Sequence, residues 1–178
     1  RAGALKAARE AEAEIVSSGL RGPLHGIPIG LKDIYFTNGI RTSMSSQVYA
    51  DFVPDYDASV VEKLRDAGAV LVGKTITTEF AMADPPPTVN PWDPKRTPGG
   101  SSSGSAVAVA TGMVPVAIGS QTAGSVNRPA TYNGVIGLKP TFGRVSRYGI
   151  FPVSWSLDTV GWMAREVRDV AIMLDLLS

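Results

Sequence analysis

Residues 96–118, "RTPGGSSSGSAVAVATGMVPVAI", decide the architecture. The stretch opens on a Gly/Ser run. It continues as a small-residue helix over Ser103–Thr111, which Gly112 stops, and it ends in an all-apolar strand, Val114–Ile118. No charged residue stands between Arg96 and Arg128. Prolines and glycines break this interval into pieces too short to cross a bilayer, so it belongs in a protein interior. A helix running directly into a buried strand is the repeating unit of an α/β fold.

The flanking sequence extends that pattern. Ala2–Ser18 reads as a helix ended near Gly19. Gly26–Ile34, "GIPIGLKDI", reads as a strand with Ile27, Ile29 and Leu31 on one face. Asp57 stands where an N-cap is expected, ahead of a short helix with Val60, Val61, Leu64 and Ala67 as its apolar stripe. Gly68 ends that helix. Ala69–Val72 then reads as a strand buried on both faces of a parallel sheet. Val135–Leu138 is a fourth strand, and Arg165–Leu177 a closing helix. The expected fold is α/β, with a mixed, mainly parallel open sheet and helices on both faces. At 178 residues the chain fits one domain. It begins with Arg rather than Met, and both ends fall inside helical patterns. Residues 1–178 are therefore expected to be an N-terminal and central piece of a longer domain.

Composition excludes several function classes. The net charge is +1 with no Lys/Arg cluster, so no electrostatic footprint for nucleic acid exists. Absence of cysteine removes thiol nucleophiles and thiolate metal sites. The single histidine, His25, cannot build a histidine-rich metal site. It lies between Pro23 and Gly26 in a loop-like setting. Nothing resembles a signal peptide, so the cytoplasm is the expected compartment.

Four readings of the Gly/Ser run compete. A flexible linker would not form the start of a packed helix. Gly99 and Gly104 have the spacing of a phosphate-binding loop, but Ser105 stands where its lysine belongs. Gly100 to Gly104 also fits the nucleophile elbow G-x-S-x-G. That elbow needs a histidine after the serine, and His25 precedes it. A serine–lysine hydrolase needs no histidine, because burial lowers the proton affinity of a lysine until it can act as base. Of the six lysines, Lys32 is the one inside a strand, beside the small residues Pro28 and Gly30. Its plainer reading is a strand-end lysine paired with Asp33. A second serine motif, "GSQTAGSVNRPA" over 119–130, follows the Val114–Ile118 strand. The turn Thr122-Ala123-Gly124-Ser125 is small enough for its N–H groups to converge on an anion, or it is an ordinary surface turn.

"GIPIGLKD", "GGSSSGSA" and "GSQTAGSVNRPA" together resemble the amidase signature family. So do "NPWDPKRTPGG", "GVIGLKPTFGRVSRYG" and "SLDTVG". The resemblance covers nearly the whole chain. It implies a Ser-cisSer-Lys triad with Lys32 as base, Ser101 as bridging serine and Ser125 as nucleophile. The residue pattern alone does not choose Ser101 over Ser102 or Ser103. The resemblance further implies an oxyanion hole from the backbone of Thr122, Ala123, Gly124 and Ser125, with no metal or organic cofactor. The implied reaction is hydrolysis of a small linear amide through a Ser125 acyl-enzyme.

Two departures stand out. Ala123 replaces the first glycine of the usual Gly-Gly pair, though it keeps its N–H. The amidotransferase A subunits of the family usually carry "DTGGSIRQPA", with Asp where this chain has Gln121 and arginine two residues after the serine. Here Arg128 comes three residues after it. Arg128 either holds a substrate carboxylate bidentately or forms a structural salt bridge. Three functions follow from the resemblance: a stand-alone amidase, the catalytic A subunit of a tRNA-dependent amidotransferase, or an inactive homologous fragment. The expected partner is a small-molecule amide, with no direct nucleic acid or membrane contact. A homodimer is among the assemblies allowed.

Overall fold

In the computed structural model, residues 2–178 are described. Helices and strands alternate as far as β4, and a second strand then follows directly: α1 (Ala2–Ser18), β1 (Pro28–Lys32), α2 (Ser59–Asp66), β2 (Val70–Thr75), α3 (Ser103–Ala110), β3 (Val116–Gln121), α4 (Asn127–Asn133), β4 (Ile136–Leu138), β5 (Thr159–Ala164) and α5 (Val167–Leu177). The strands form one sheet in the order β2-β1-β3-β5-β4. β1 pairs in parallel with both β2 and β3, through crossovers that carry α2 and α3. β5 runs antiparallel to both β3 and β4. The sheet is therefore mixed, as expected, with its parallel half at the β2–β1–β3 side.

Helices cover both faces. On one side Val60, Val61 and Leu64 of α2 and Val170, Met173 and Leu177 of α5 pack with Ile29, Leu31, Val116, Ile118 and Trp162. On the other, Ala106 and Val109 of α3, Val126 just before α4 and Ala130 within it pack on Ala117 and Met163. Most of the uncharged interval thus lies inside, Met113 in the turn after α3 being the exposed exception among its large apolar residues, and each fully buried large apolar side chain is worth roughly 1.5–3 kcal/mol. Gly112 stops α3 with φ of 75°, a conformation that favours glycine. Among the described residues no helix is long and apolar enough to cross a membrane.

Three local expectations change. Asp57 does not cap α2; its Oδ1 accepts from Asn38 N at 2.7 Å, and its Oδ2 pairs with Arg65 Nε at 2.9 Å. β2 is an edge strand that runs on to Thr75. Val72 is 42% exposed, so the strand is not buried on both faces. β5 and α4 are elements that the sequence pattern does not reveal. Every residue of β5 is buried, and its apolar run abuts the loop without a turn signal.

Candidate active site

Lys32 is the last residue of β1 and is fully buried. Its Nζ lies 2.7 Å from Ser101 Oγ and 2.9 Å from Ser120 Oγ. The expected alternative partner, Asp33, points elsewhere. Asp33 Oδ2 accepts from Ser43 N and Ser43 Oγ, and its Oδ1 lies 3.6 Å from Lys74. Burial pushes the Lys32 ammonium down to about 7 from its usual 10.5, and the negative charge of Asp158 partly offsets this. A neutral amine has one lone pair and two N–H groups. It can therefore accept from one serine while donating to the other.

The serines of the Gly/Ser run divide their work. Ser101 alone faces Lys32. The Gly100–Ser101 peptide bond is cis. Ser102 N donates to the Ser125 carbonyl at 3.2 Å, and Ser102 Oγ accepts from Ser120 N and donates to Ser120 O. Ser105 Oγ donates to Ile118 O at 2.9 Å. The run therefore lies against the ends of β2 and β3, which is why its neighbours are so small. A Cβ on Gly104 would come within 2.5 Å of Ile76 N, and one on Gly119 within 2.7 Å of Ser102 Oγ.

The turn after β3 carries Ser125 into α4. Gln121 Oε1 accepts from Val126 N at 2.8 Å and Asn127 N at 2.9 Å, so a neutral amide tethers the entry to the helix. Thr122 Oγ1 donates to Asp158 Oδ1 at 2.5 Å. Among the described residues, the N–H groups of Thr122, Ala123, Gly124 and Ser125 have no hydrogen-bond acceptor. Four consecutive free donors on a tight turn are suited to developing negative charge on an oxygen. The Ser125 hydroxyl makes no hydrogen bond among the described residues. Ser101 and Ser125 share no side-chain hydrogen bond; the backbone bond from Ser102 N to the Ser125 carbonyl at 3.2 Å is what ties the two segments together.

Arg128 has no carboxylate partner among the described residues, which removes the salt-bridge reading. Its Nε and Nη2 instead donate to the Gly100 carbonyl at 3.0 and 2.7 Å. His25 stands apart from this group. It is buried behind α1, with Nδ1 accepting from Arg21 N and Nε2 at 3.3 Å from Glu14. Sequence reasoning missed Ser120 and Asp158. Both stand in quoted motifs, but their approach to Lys32 depends on the pairing of β1 with β3 and of β3 with β5.

Residues 1–178 match the family model described as Amidase. The chain belongs to the amidase family. It is 49% identical over 180 residues to the A subunit of the glutamyl-tRNA(Gln) amidotransferase of Carboxydothermus hydrogenoformans, covering 98% of this chain and 37% of that protein. The native peptide amidase of Stenotrophomonas maltophilia superposes with a TM-score of 0.93 at 49% identity, covering 98% of this chain and 38% of that one. The A subunit of the glutamyl-tRNA(Gln) amidotransferase of Thermotoga maritima gives 0.85 at 40% identity, covering 98% of this chain and 44% of that one. This chain thus spans well under half the length of the relatives it matches.

Proposed function

We propose that this chain carries the reaction centre of a stand-alone amidase that hydrolyses a small linear amide. The carrying observation is the fully buried Lys32 amine, held near neutrality and 2.7 Å from Ser101 Oγ, next to the Ser125 turn.

Neutral Lys32 takes a proton from Ser101 as Ser101 takes one from Ser125. Ser125 Oγ bonds to the amide carbon, and the carbonyl electron pair moves onto oxygen, facing the amides of 122–125. As the oxyanion collapses, the C–N bond breaks. The proton returns through Ser101 to the leaving nitrogen, which departs as ammonia from a primary amide. Water then attacks the acyl-enzyme, giving up its proton to the same relay. A carboxylate leaves, and Ser125 is restored. No step needs a metal or organic cofactor.

The higher TM-score to peptide amidase than to the Thermotoga protein supports the stand-alone reading. Gln121 and Arg128, at the positions where the amidotransferase pattern differs, support it too. Identity of 49% to an amidotransferase A chain favours the second reading, a catalytic component that passes ammonia to a partner. The test is ammonia release from simple primary amides by the intact polypeptide without partners. Hydrolysis that disappears in Ser125→Ala is expected. Turnover that requires added tRNA and partner chains selects the second reading.

A further inference from the structure

We infer that Arg128 is a positioning residue, a clamp that holds the bridging serine in register with the nucleophile. The inference rests on the amidase reading of Lys32, Ser101 and Ser125.

Ser101 is bracketed by two ties to one segment. On its N-terminal side, the Gly100 carbonyl accepts both Nε and Nη2 of Arg128. On its C-terminal side, Ser102 N donates to the Ser125 carbonyl at 3.2 Å. The anchoring segment closes on itself, because Arg128 N donates to Gly124 O at 2.8 Å. One residue therefore closes the Ser125 turn with its backbone and holds the peptide before Ser101 with its side chain. Two N–H groups from a planar guanidinium on one carbonyl oxygen fix direction as well as distance, which a lysine ammonium does less well. Gly100 is closely packed on its other side, where a Cβ would lie 2.9 Å from Thr78 Cγ2. Ser101 Oγ must meet Lys32 on one side and Ser125 on the other. Displacement of the Gly100 carbonyl moves that hydroxyl out of line.

This role differs from holding a substrate carboxylate, and the two separate cleanly. In the intact polypeptide, Arg128→Ala and Arg128→Lys are assayed on a neutral primary amide and on an amide bearing a carboxylate. The clamp predicts kcat lower by about 100-fold in Arg128→Ala on both substrates, the cost typical of a small misplacement of a reacting group. KM stays within about twofold, and Arg128→Lys restores part of kcat. A second readout needs no amide turnover. Labelling of Ser125 by a fluorophosphonate forms an O–P bond, expels fluoride and passes the serine proton to the relay. Its rate should fall in parallel, and added guanidinium ion should recover part of it in Arg128→Ala. Unchanged kcat and labelling rate in both variants overturn the clamp. So does a loss seen only as raised KM for the carboxylate-bearing amide. Wild-type protein that is labelled at Ser125 but hydrolyses no amide fails the amidase reading, while the labelling comparison still decides the clamp.

Discussion

Lys32 and Lys74 sit on neighbouring parallel strands, one residue out of step in the register of β1 and β2, and the fold uses them differently. Lys32 touches two serine hydroxyls. Lys74 donates to the Tyr35 carbonyl at 2.5 Å, to Thr42 Oγ1 at 2.8 Å and to Thr37 Oγ1 at 3.1 Å, with Asp33 at 3.6 Å. Burial lowers both, to about 7 for Lys32 and about 8 for Lys74, where the nearby Asp33 works against the shift. The partners make the difference. A hydroxyl can donate or accept, so Lys32 keeps its hydrogen bonds in either protonation state. A carbonyl only accepts, and a carboxylate favours the ammonium, so Lys74 is held as a cation that ties β2 to the loop after β1.

The sharpest way to break this comparison is to remove each amine in turn. Lys32→Ala is expected to lower kcat/KM by roughly 10³–10⁶, the range seen when one member of a catalytic unit is lost. Ser125→Ala should cost a similar factor, and the double variant little more. Lys74→Met should do the reverse. It leaves Asp33 without its cation, a loss of about 3–5 kcal/mol of stability for a buried pair. The folded fraction should keep kcat within about threefold of wild type, as expected for a residue outside the catalytic unit. Denaturant melts and steady-state rates on the same samples check both. A Lys74 variant that folds normally but loses turnover contradicts the division of labour.

What the sequence revealed about this pair was uneven, for physical reasons. Lys32 lies in a strand beside the small residues Pro28 and Gly30, which leave room for other groups to approach, but pairing with Asp33 fits the same pattern. The turn carrying Ser125 reads equally as an anion-binding turn or a surface turn, and only the family resemblance singles out its serine. Ser101 was not separable from Ser102 and Ser103 by pattern, since all three are small, polar and adjacent. Only the tertiary fold aims one at Lys32 and the others at strand ends. Ser120 reaches Lys32 through strand order, which no local pattern encodes. Asp57 satisfied the rule for a helix cap, yet Arg65 and Asn38 took its carboxylate. β5 is buried throughout, so it shows no period-2 alternation by which a strand is read.

Acid–base behaviour sharpens the comparison further. Both lysines have folded values below the unfolded 10.5, so between about 7 and 10.5 the unfolded chain binds more protons than the folded one. Stability contributed by these groups therefore rises with pH across that window, and the burial cost is fully felt below about 7. Lys32→Met removes the larger share of this slope and is expected to raise stability at pH 6 by a few kcal/mol while abolishing the proposed turnover. Unfolding midpoints from pH 6 to 10 test this. A Lys32→Met protein with an unchanged slope shows that the amine is not desolvated in solution.

The smallest effect isolates a charge that acts on Lys32. Asp158 raises the proton affinity of Lys32 through space while its carboxylate holds Thr122 Oγ1 and the amides of Val153 and Ser154. Asparagine keeps the shape. Its carbonyl can accept from Val153 N and Ser154 N, and its amide N–H can donate to the Thr122 hydroxyl. Asp158→Asn thus removes charge with little change in contacts. The proposed reaction needs neutral Lys32, so kcat/KM should climb as pH rises through about 7 in the wild type. Without the carboxylate the ammonium is less favoured, and the acid limb should move to lower pH by less than about one unit. The plateau rate can fall independently if the Thr122 amide shifts. The position of the limb, not its height, is the diagnostic. A limb that stays fixed, or moves up, means that the titrating group is not Lys32.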